Sequence, residues 1–388
     1  ETPWHPRLVR PLDVAIPEVE AAVLPLLTDG DGLPLTGHGV VVADFDSNVD
    51  HFHPTYFKAD GGEFAWLDVD GDGLVTPGVD AVDLDGDGLP GEGELLSFID
   101  ATFLDVYGGT RWDDGFYDPD RDWLYLDLNG NGARDFGPPY TEADPGYGEP
   151  LFIVDDRDGD GLFTVDEPLL RLGTSKIVGV MDYWGNTYHR GVDLIDNPGD
   201  EGGHGTGVSS IILGDRVGRL LHGVVPDAEL VAVDAGKHFS EHYGEGVAFA
   251  EGLGARVMIY EFSAYIYEFM DGSSTLETLM DEASAQGAVQ VVPAGNLAGA
   301  GKVASFTVPP QAATSIGMNT ASESMGTPLH YCWFSIYWRD PGANLEITVR
   351  SPDGTEQVLP DGWHWAPIHG HNLFGARDVS PPETVRHD

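Results

Sequence analysis

Short apolar runs separated by glycine and by polar, helix-spaced stretches set the pattern of the chain's second half. Lys176–Val180, Leu230–Val233, Val257–Tyr260 and Val289–Val292 each read as a strand buried on both sides. Between and beside them, Gly205–Leu213, Glu245–Glu251 and Ser274–Gln286 carry helical spacing. Strands alternating with helices in this way predict an α/β fold, a parallel sheet with helices on both faces. One more apolar run, Gly39–Ala43, stands far upstream, and Glu18–Leu24, between Pro17 and Pro25, predicts one short helix. Near the end of the chain Tyr331–Trp338 and Leu345–Val349 read as strands, the second followed by a Ser351-Pro352-Asp353-Gly354 turn.

These changes of pattern divide the chain. Residues 1–36 form an N-terminal leader, 37–59 the first segment of the core, and 60–171 an acidic insertion. Residues 172–325 resume the core, and 326–388 form a β-rich segment that reads as part of an insertion or an incomplete domain. At 388 residues, 41% of them hydrophobic and nine of them Trp, the chain has the material for more than one packed core.

Charge sharpens this division. The chain holds 65 Asp and Glu against 19 Lys and Arg, a formal net charge of −46. Residues 60–170 alone carry 29 acids against four Arg. A surface of this sign repels phosphate backbones and anionic headgroups, which excludes nucleic acid and membrane surfaces as partners. It fits either carboxylates that bind cations or a halophile-like surface, and the presence of only four Lys suits the latter. The lone cysteine, Cys332, permits no intramolecular disulfide and reads as a buried strand residue. No apolar run approaches the roughly 20 residues of a membrane span.

Within the acidic block, Asp-Gly repeats carry metal-ligand spacing. Asp83, Asp85 and Asp87 with Glu94, and Asp156, Asp158 and Asp160 with Glu167, satisfy the twelve-residue calcium loop throughout. Oxygens at positions 1, 3 and 5 converge around the glycine turn, while the carbonyl of position 7 (Leu89, Leu162) and the final Glu complete an oxygen shell. Two looser copies accompany them. Asp68, Asp70 and Asp72, with Leu74 at position 7, have Val79 at position 12 and Asp80 one residue late. Asp127, Asn129 and Asn131, with Ala133 and Asp135 at positions 7 and 9, meet Pro138 at position 12. Without evident flanking helices, these loops resemble thrombospondin type-3 or dockerin-like loops more than paired EF-hands. Asp118-Pro119-Asp120-Arg121-Asp122 lacks the glycine and reads as surface.

Three further motifs lie outside the acidic block. The run from Gly39 ends in Asp44-Phe45-Asp46-Ser47-Asn48-Val49-Asp50, with His53-Pro54 after it. Gly203-His204-Gly205-Thr206-Gly207 opens a predicted helix, and Leu221–Ala228 follows it. Ala294-Gly295-Asn296 ends a strand downstream. In order and local pattern these segments resemble the subtilisin family, the subtilases. The resemblance implies peptide-bond hydrolysis, with His204 taking the proton of a serine hydroxyl, Asp46 fixing the tautomer of His204 and stabilising its imidazolium, and Asn296 as oxyanion donor. Tyr260, Phe262 and Ser263 stand near the family's substrate-binding strand, although its glycines are missing.

The same resemblance calls for a serine in a Gly-Thr-Ser-Met-Ala-like turn after Asn296, and the sequence carries none. Gly173-Thr174-Ser175 has the tripeptide but precedes His204 and runs on into a strand. The expectation is therefore a secreted or cell-surface, prokaryotic, calcium-stabilised serine endopeptidase whose nucleophile lies on a segment not in this sequence. The chain would then be the large fragment of a longer or cleaved protein, inactive by itself. Its partners would be peptide or protein substrates and a separate polypeptide bearing the serine. The alternative is a non-catalytic, calcium-dependent surface or assembly protein on the same scaffold.

Overall fold

The structure, a computed structural model, describes residues 19–100, 103–104, 111–112, 115–141, 143–157, 163–194, 203–219, 222–235, 243–261, 274–295, 303–318, 323–324, 327–328, 334–338, 342–368 and 371–377, with 272, 299 and 301. In chain order the elements are β1 (Val41–Asp46), β2 (Glu63–Leu67), β3 (Ala81–Asp83), β4 (Leu96–Ile99), β5 (Trp123–Leu126), β6 (Leu151–Val154), β7 (Leu169–Arg171), β8 (Ile177–Met181) and β9 (Thr187–His189). There follow α1 (His204–Leu213), β10 (Glu229–Asp234), α2 (Tyr243–Gly252), β11 (Val257–Tyr260), α3 (Thr275–Ala285) and β12 (Val289–Val291).

The core sheet has the order β9-β8-β10-β1-β11-β12. Five strands are parallel, while β9 returns antiparallel on β8 at one edge, so the sheet is mixed rather than wholly parallel. Strand alternation separates its faces. Val42, Leu230 and Ala232 pack with Ile177, Val180 and Leu213, the last residue of α1. Phe45 points to the other face, stacked between Tyr243 of α2 and Tyr260 at 5.7 and 4.6 Å. Helix α2 comes close enough there that a Cβ on Gly246 would lie 2.8 Å from Val233 Cγ1 and 3.0 Å from Phe45 Cε1.

The acidic block is more than a string of loops. It builds a six-stranded antiparallel sheet, β3-β2-β7-β6-β5-β4. One face buries Trp66, Val82, Leu96, Leu124, Leu126, Phe152 and Leu169. The other buries Trp123, Tyr125, Leu151, Ile153 and Leu170 against Phe52, Phe57 and Tyr147. At about 1.5–3 kcal/mol for each large apolar side chain buried, these two faces supply the cohesion that the surrounding carboxylates cannot. Phe52 and Phe57 belong to the segment just after β1, so the insertion is seated on the chain that leaves Asp46.

Polar contacts reinforce this seat. Arg219 Nη2 donates to Asp122 O at 3.0 Å, and the guanidinium lies over the Trp123 ring at 5.4 Å. Its Nε is 3.1 Å from Asp215 Oδ2, an ion pair at an angle too poor for a hydrogen bond. Asp122, read from sequence as surface, is buried, its backbone oxygen taken by Arg219 and its Oδ2 accepting Asp118 N at 2.7 Å. Buried Lys176 donates from Nζ to Leu213 O at 2.8 Å and to Asp215 O at 2.5 Å, placing a cation at the C-terminus of α1. Burial pushes that ammonium down to about 8.

The chain separates into two units: residues 1–262 with 283–293, and residues 263–282 with 294–388. In the second, α3 opens with a reciprocal cap, Glu277 N donating to Ser274 Oγ at 3.3 Å and Ser274 N to Glu277 Oε2 at 3.1 Å. Two antiparallel hairpins follow, Ile347–Arg350 with Glu356–Leu359 and Gly362–Ile368 with His371–Arg377, around Leu359, Ile368 and Leu373. Phe334–Trp338, expected as strand, has no regular structure, and Tyr331–Trp333 lie outside the described residues.

Because Arg219 answers Asp215 in a buried setting, Arg219→Met leaves that carboxylate without its cation. It is expected to destabilise the first unit by about 3 kcal/mol. A urea midpoint equal to wild type would show that the arginine does not hold the insertion in place.

Candidate active site and acidic loops

Asp46 ends β1 at the C-terminal edge of the core sheet, where α/β sheets gather their functional groups. Its side chain is 2% exposed. Ser47 N donates to Oδ1 at 2.6 Å, and His204 Nδ1 stands 2.8 and 2.7 Å from the two carboxylate oxygens. The imidazole itself is 59% exposed. A buried carboxylate thus grips one nitrogen of a ring whose other edge faces outward.

The residues after His204 explain how that ring is held. Gly203, the N-cap of α1, has φ of 66°, a left-handed conformation suited to glycine. A Cβ on Gly205 would lie 1.9 Å from Asn48 O, so only glycine lets the helix meet the loop after β1. Gly205 N donates to Ser47 Oγ at 3.1 Å, and Asp50 N donates to Thr206 Oγ1 at 2.8 Å. The Tyr56 hydroxyl donates to Thr206 O at 2.9 Å and lies 2.6 Å from Ser209 Oγ. His-Gly-Thr is therefore a docking surface for the Asp46 loop as much as a carrier of the imidazole.

Other residues singled out from sequence fall elsewhere. Tyr260 is 2% exposed, its ring in the core and its hydroxyl donating to Gln290 Oε1 at 2.8 Å, so its side chain packs the sheet rather than facing a cleft. Phe262, Ser263 and Asn296 lie outside the described residues. Ser175 is buried at the entry to β8, where its Oγ accepts from Ile177 N at 3.1 Å.

The four acidic loops share one hydrogen-bond scheme. In the second, Glu94 accepts Leu84 N and Gly91 N, at positions 2 and 9, at 3.0 and 2.6 Å. In the fourth, Glu167 accepts Arg157 N and Thr164 N at 2.8 and 3.0 Å. In the first loop Asp80 takes this role, accepting Val69 N and Thr76 N at 2.8 and 2.6 Å. The third loop, whose sequence offers only Pro138, uses Glu149, which accepts Leu128 N and Asp135 N at 2.7 and 2.9 Å. Both Asp80 and Glu149 are 0% exposed. Burial, and after it Asp70 and Asp68, raise the Asp80 carboxyl's affinity for a proton against the pull of its two N–H donors.

Asp68, Asp70 and Asp80 bring carboxylate oxygens within 4.8 Å of one another, as do Asp83, Asp85 and Asp87. Leu74 N donates to Asp72 Oδ1, Leu89 N to Asp87 Oδ1 and Ala133 N to Asn131 Oδ1 at 2.7–2.8 Å, curling each loop around its glycine. In the third loop Asp127 Oδ2 accepts Gly132 N at 2.7 Å, and the Asn129 and Asn131 amides both reach Asp135. Asp156 begins the fourth loop, and Asp158, Asp160 and Leu162 lie outside the described residues. These oxygen-only groups have the composition that hard divalent cations take.

Gly205→Ala forces a methyl group into the Asn48 carbonyl. We expect it to cost at least about 1–3 kcal/mol and to part His204 from Asp46. A downfield Nδ1 proton of His204 is expected in the NMR spectrum of wild type and should vanish in the variant; its survival there would show the glycine to be dispensable.

No curated protein sequence matches the chain. Among solved structures, the Clostridium perfringens CspB protease aligns at 14% identity with a TM-score of 0.38, covering 73% of this chain. The chain spans 41% of that protein's length. The model of the subtilase family matches residues 37–357, which include both halves of the Asp46–His204 pair and the acidic block between them. On that match, the chain belongs to the subtilase family.

Proposed function

We propose that these residues form the Asp–His portion of a secreted, calcium-stabilised serine endopeptidase. The observation that carries the reading is the double contact of His204 Nδ1 with buried Asp46. With Nδ1 committed to the carboxylate, Nε2 is the nitrogen that exchanges a proton with an attacking hydroxyl. Asp46 holds the tautomer and stabilises the imidazolium that results. Asn296 is assigned as the donor to the oxyanion, and Phe262 and Ser263 as the substrate-binding strand. The serine that this chemistry requires is not among these residues, so acyl transfer needs a further segment or a second polypeptide.

Calcium is assigned to the acidic loops. Asp83, Asp85, Asp87 and Glu94 would hold one ion with the Leu89 carbonyl, and Asp156, Asp158, Asp160 and Glu167 another with that of Leu162. Asp68, Asp70, Asp72 and Asp80 supply the first loop, and Asp127, Asn129, Asn131, Asp135 and Glu149 the third. Bound calcium would neutralise carboxylates that otherwise repel one another. Sites of roughly 10⁻⁴–10⁻³ M affinity suit extracellular modules, which supports a secreted or cell-surface location. No helix among the described residues is long and apolar enough to cross a membrane.

Two measurements test the reading. A fluorophosphonate probe on the native preparation should label a serine on a co-purifying chain, and Asp46→Asn should slow labelling on the order of 10⁴-fold. Absence of labelling would favour a non-catalytic scaffold. Chelation should lower the melting temperature and open residues 60–170 to proteolysis, with calcium restoring both, and Glu149→Gln should remove one bound ion by native mass spectrometry. If EDTA changes neither property, the calcium assignment fails; unfolding at low salt despite calcium would instead mark a halophilic surface.

A further inference from the structure

An acidic residue that the proposed chemistry does not use stands beside the Asp46–His204 pair. Glu261 follows β11 directly, and its N–H donates to Phe45 O at 3.1 Å, extending the ladder one residue beyond the registered Phe45–Tyr260 pair. That bond sets Glu261 next to Asp46. Strand parity then fixes its face. Phe45 and Tyr260 stack on the α2 side, whereas Val257 and Ile259 pack with Val42 and Leu213 on the α1 side. One residue past Tyr260, Glu261 returns to the α1 side, where Asp46 meets the imidazole at the start of α1.

We infer that Glu261 is a positioning residue acting through His204: its carboxylate adds a second negative charge beside the imidazole and strengthens the ring's hold on a proton. The inference rests on reading Asp46 and His204 as an acid–base pair. Glu261's own carboxyl is raised above the usual range, first by burial and then by Asp46, with His204 opposing the shift. Among the described residues, the ionisable groups at this end of the sheet include buried Asp44, in register with Ile259 and on the same face of β1 as Asp46, Asp234, in register with Asp46 on β10, Asp50 on the loop that meets Thr206, and Tyr243 of α2. Tyr243 is held neutral at ordinary pH, its phenol raised chiefly by burial. The sign follows: as pH falls through the raised titration of Glu261, its carboxylate becomes neutral and His204 loses part of its support.

The test is an NMR titration of His204 Cε1–H in the whole chain, compared among wild type, Glu261→Gln and Asp46→Asn. The His204 midpoint should fall in both variants, less in Glu261→Gln, and Glu261→Asp should recover most of the loss. In wild type the Glu261 carboxyl ¹³C should show a second inflection at the His204 midpoint, since coupled groups report each other. That measurement stands even if a variant fails to fold. If Asp46→Asn moves the midpoint and Glu261→Gln does not, or the second inflection is missing, the role of Glu261 is overturned while the pair stands. If neither variant moves it, the pair itself is misread, and Glu261 falls with it.

Discussion

The close approach of Gly205 to the Asn48 carbonyl is the constraint on which the site depends. It brings the first turn of α1 against the loop leaving β1, and three hydrogen bonds, one accepted by Ser47 and two donated by Asp50 and Tyr56, then lock the two segments. The Asp46–His204 contact is a result of this docking more than its cause. A single carboxylate–imidazole bond to a half-exposed ring contributes about 1.5–3 kcal/mol at most, too little to place a helix. Backbone fit positions the chemistry, and the chemistry adds a small increment of its own.

That arrangement accommodates the large acidic block between its two halves. The insertion enters and leaves on adjacent chain, Lys58 N donating to Thr174 O and Gly61 N to Arg171 O. Its length therefore places no strain on the distance between Asp46 and His204. Phe52, Phe57 and Arg219 seat it on an apolar and cationic contact, and its acidic loops gather at the strand ends. Separating the apolar sheet from the charged loops lets the block carry its excess charge without opening its core.

Most of the core was legible in the sequence because its parallel strands are short, largely apolar runs set between polar or glycine residues. Val257–Tyr260 is a strand as expected, and the helix at His204 begins one residue earlier than its spacing suggested. Asp46 stood out because an apolar run delivered it and a glycine-flanked histidine answered it. The antiparallel β9 was hidden, being a three-residue edge with no apolar alternation. The insertion's sheet was hidden for a different reason. Strands such as Trp123–Leu126 and Leu151–Val154 are four residues long and sit between Asp-rich loops whose composition dominates any window. Glu149 gave no local signal, since it lies fourteen residues after Asp135 and belongs to the next turn of chain. Glu261 was masked by its aromatic neighbours.

The route by which the third loop is closed bears on the order in which the protein can assemble during synthesis. Asp80, Glu94 and Glu167 each close a loop whose other members have only just emerged, a local contact with little entropy to overcome. Glu149 must wait for the segment through Tyr147 to be laid across the sheet, so Asp127 and its neighbours stay unclosed while the ribosome adds another turn of structure. The third loop is closed by a longer-range contact than its neighbours, Glu149 reaching Leu128 across 21 residues where Glu94 reaches Leu84 across 10, and a nascent chain stalled before Glu149 would carry one loop that cannot close.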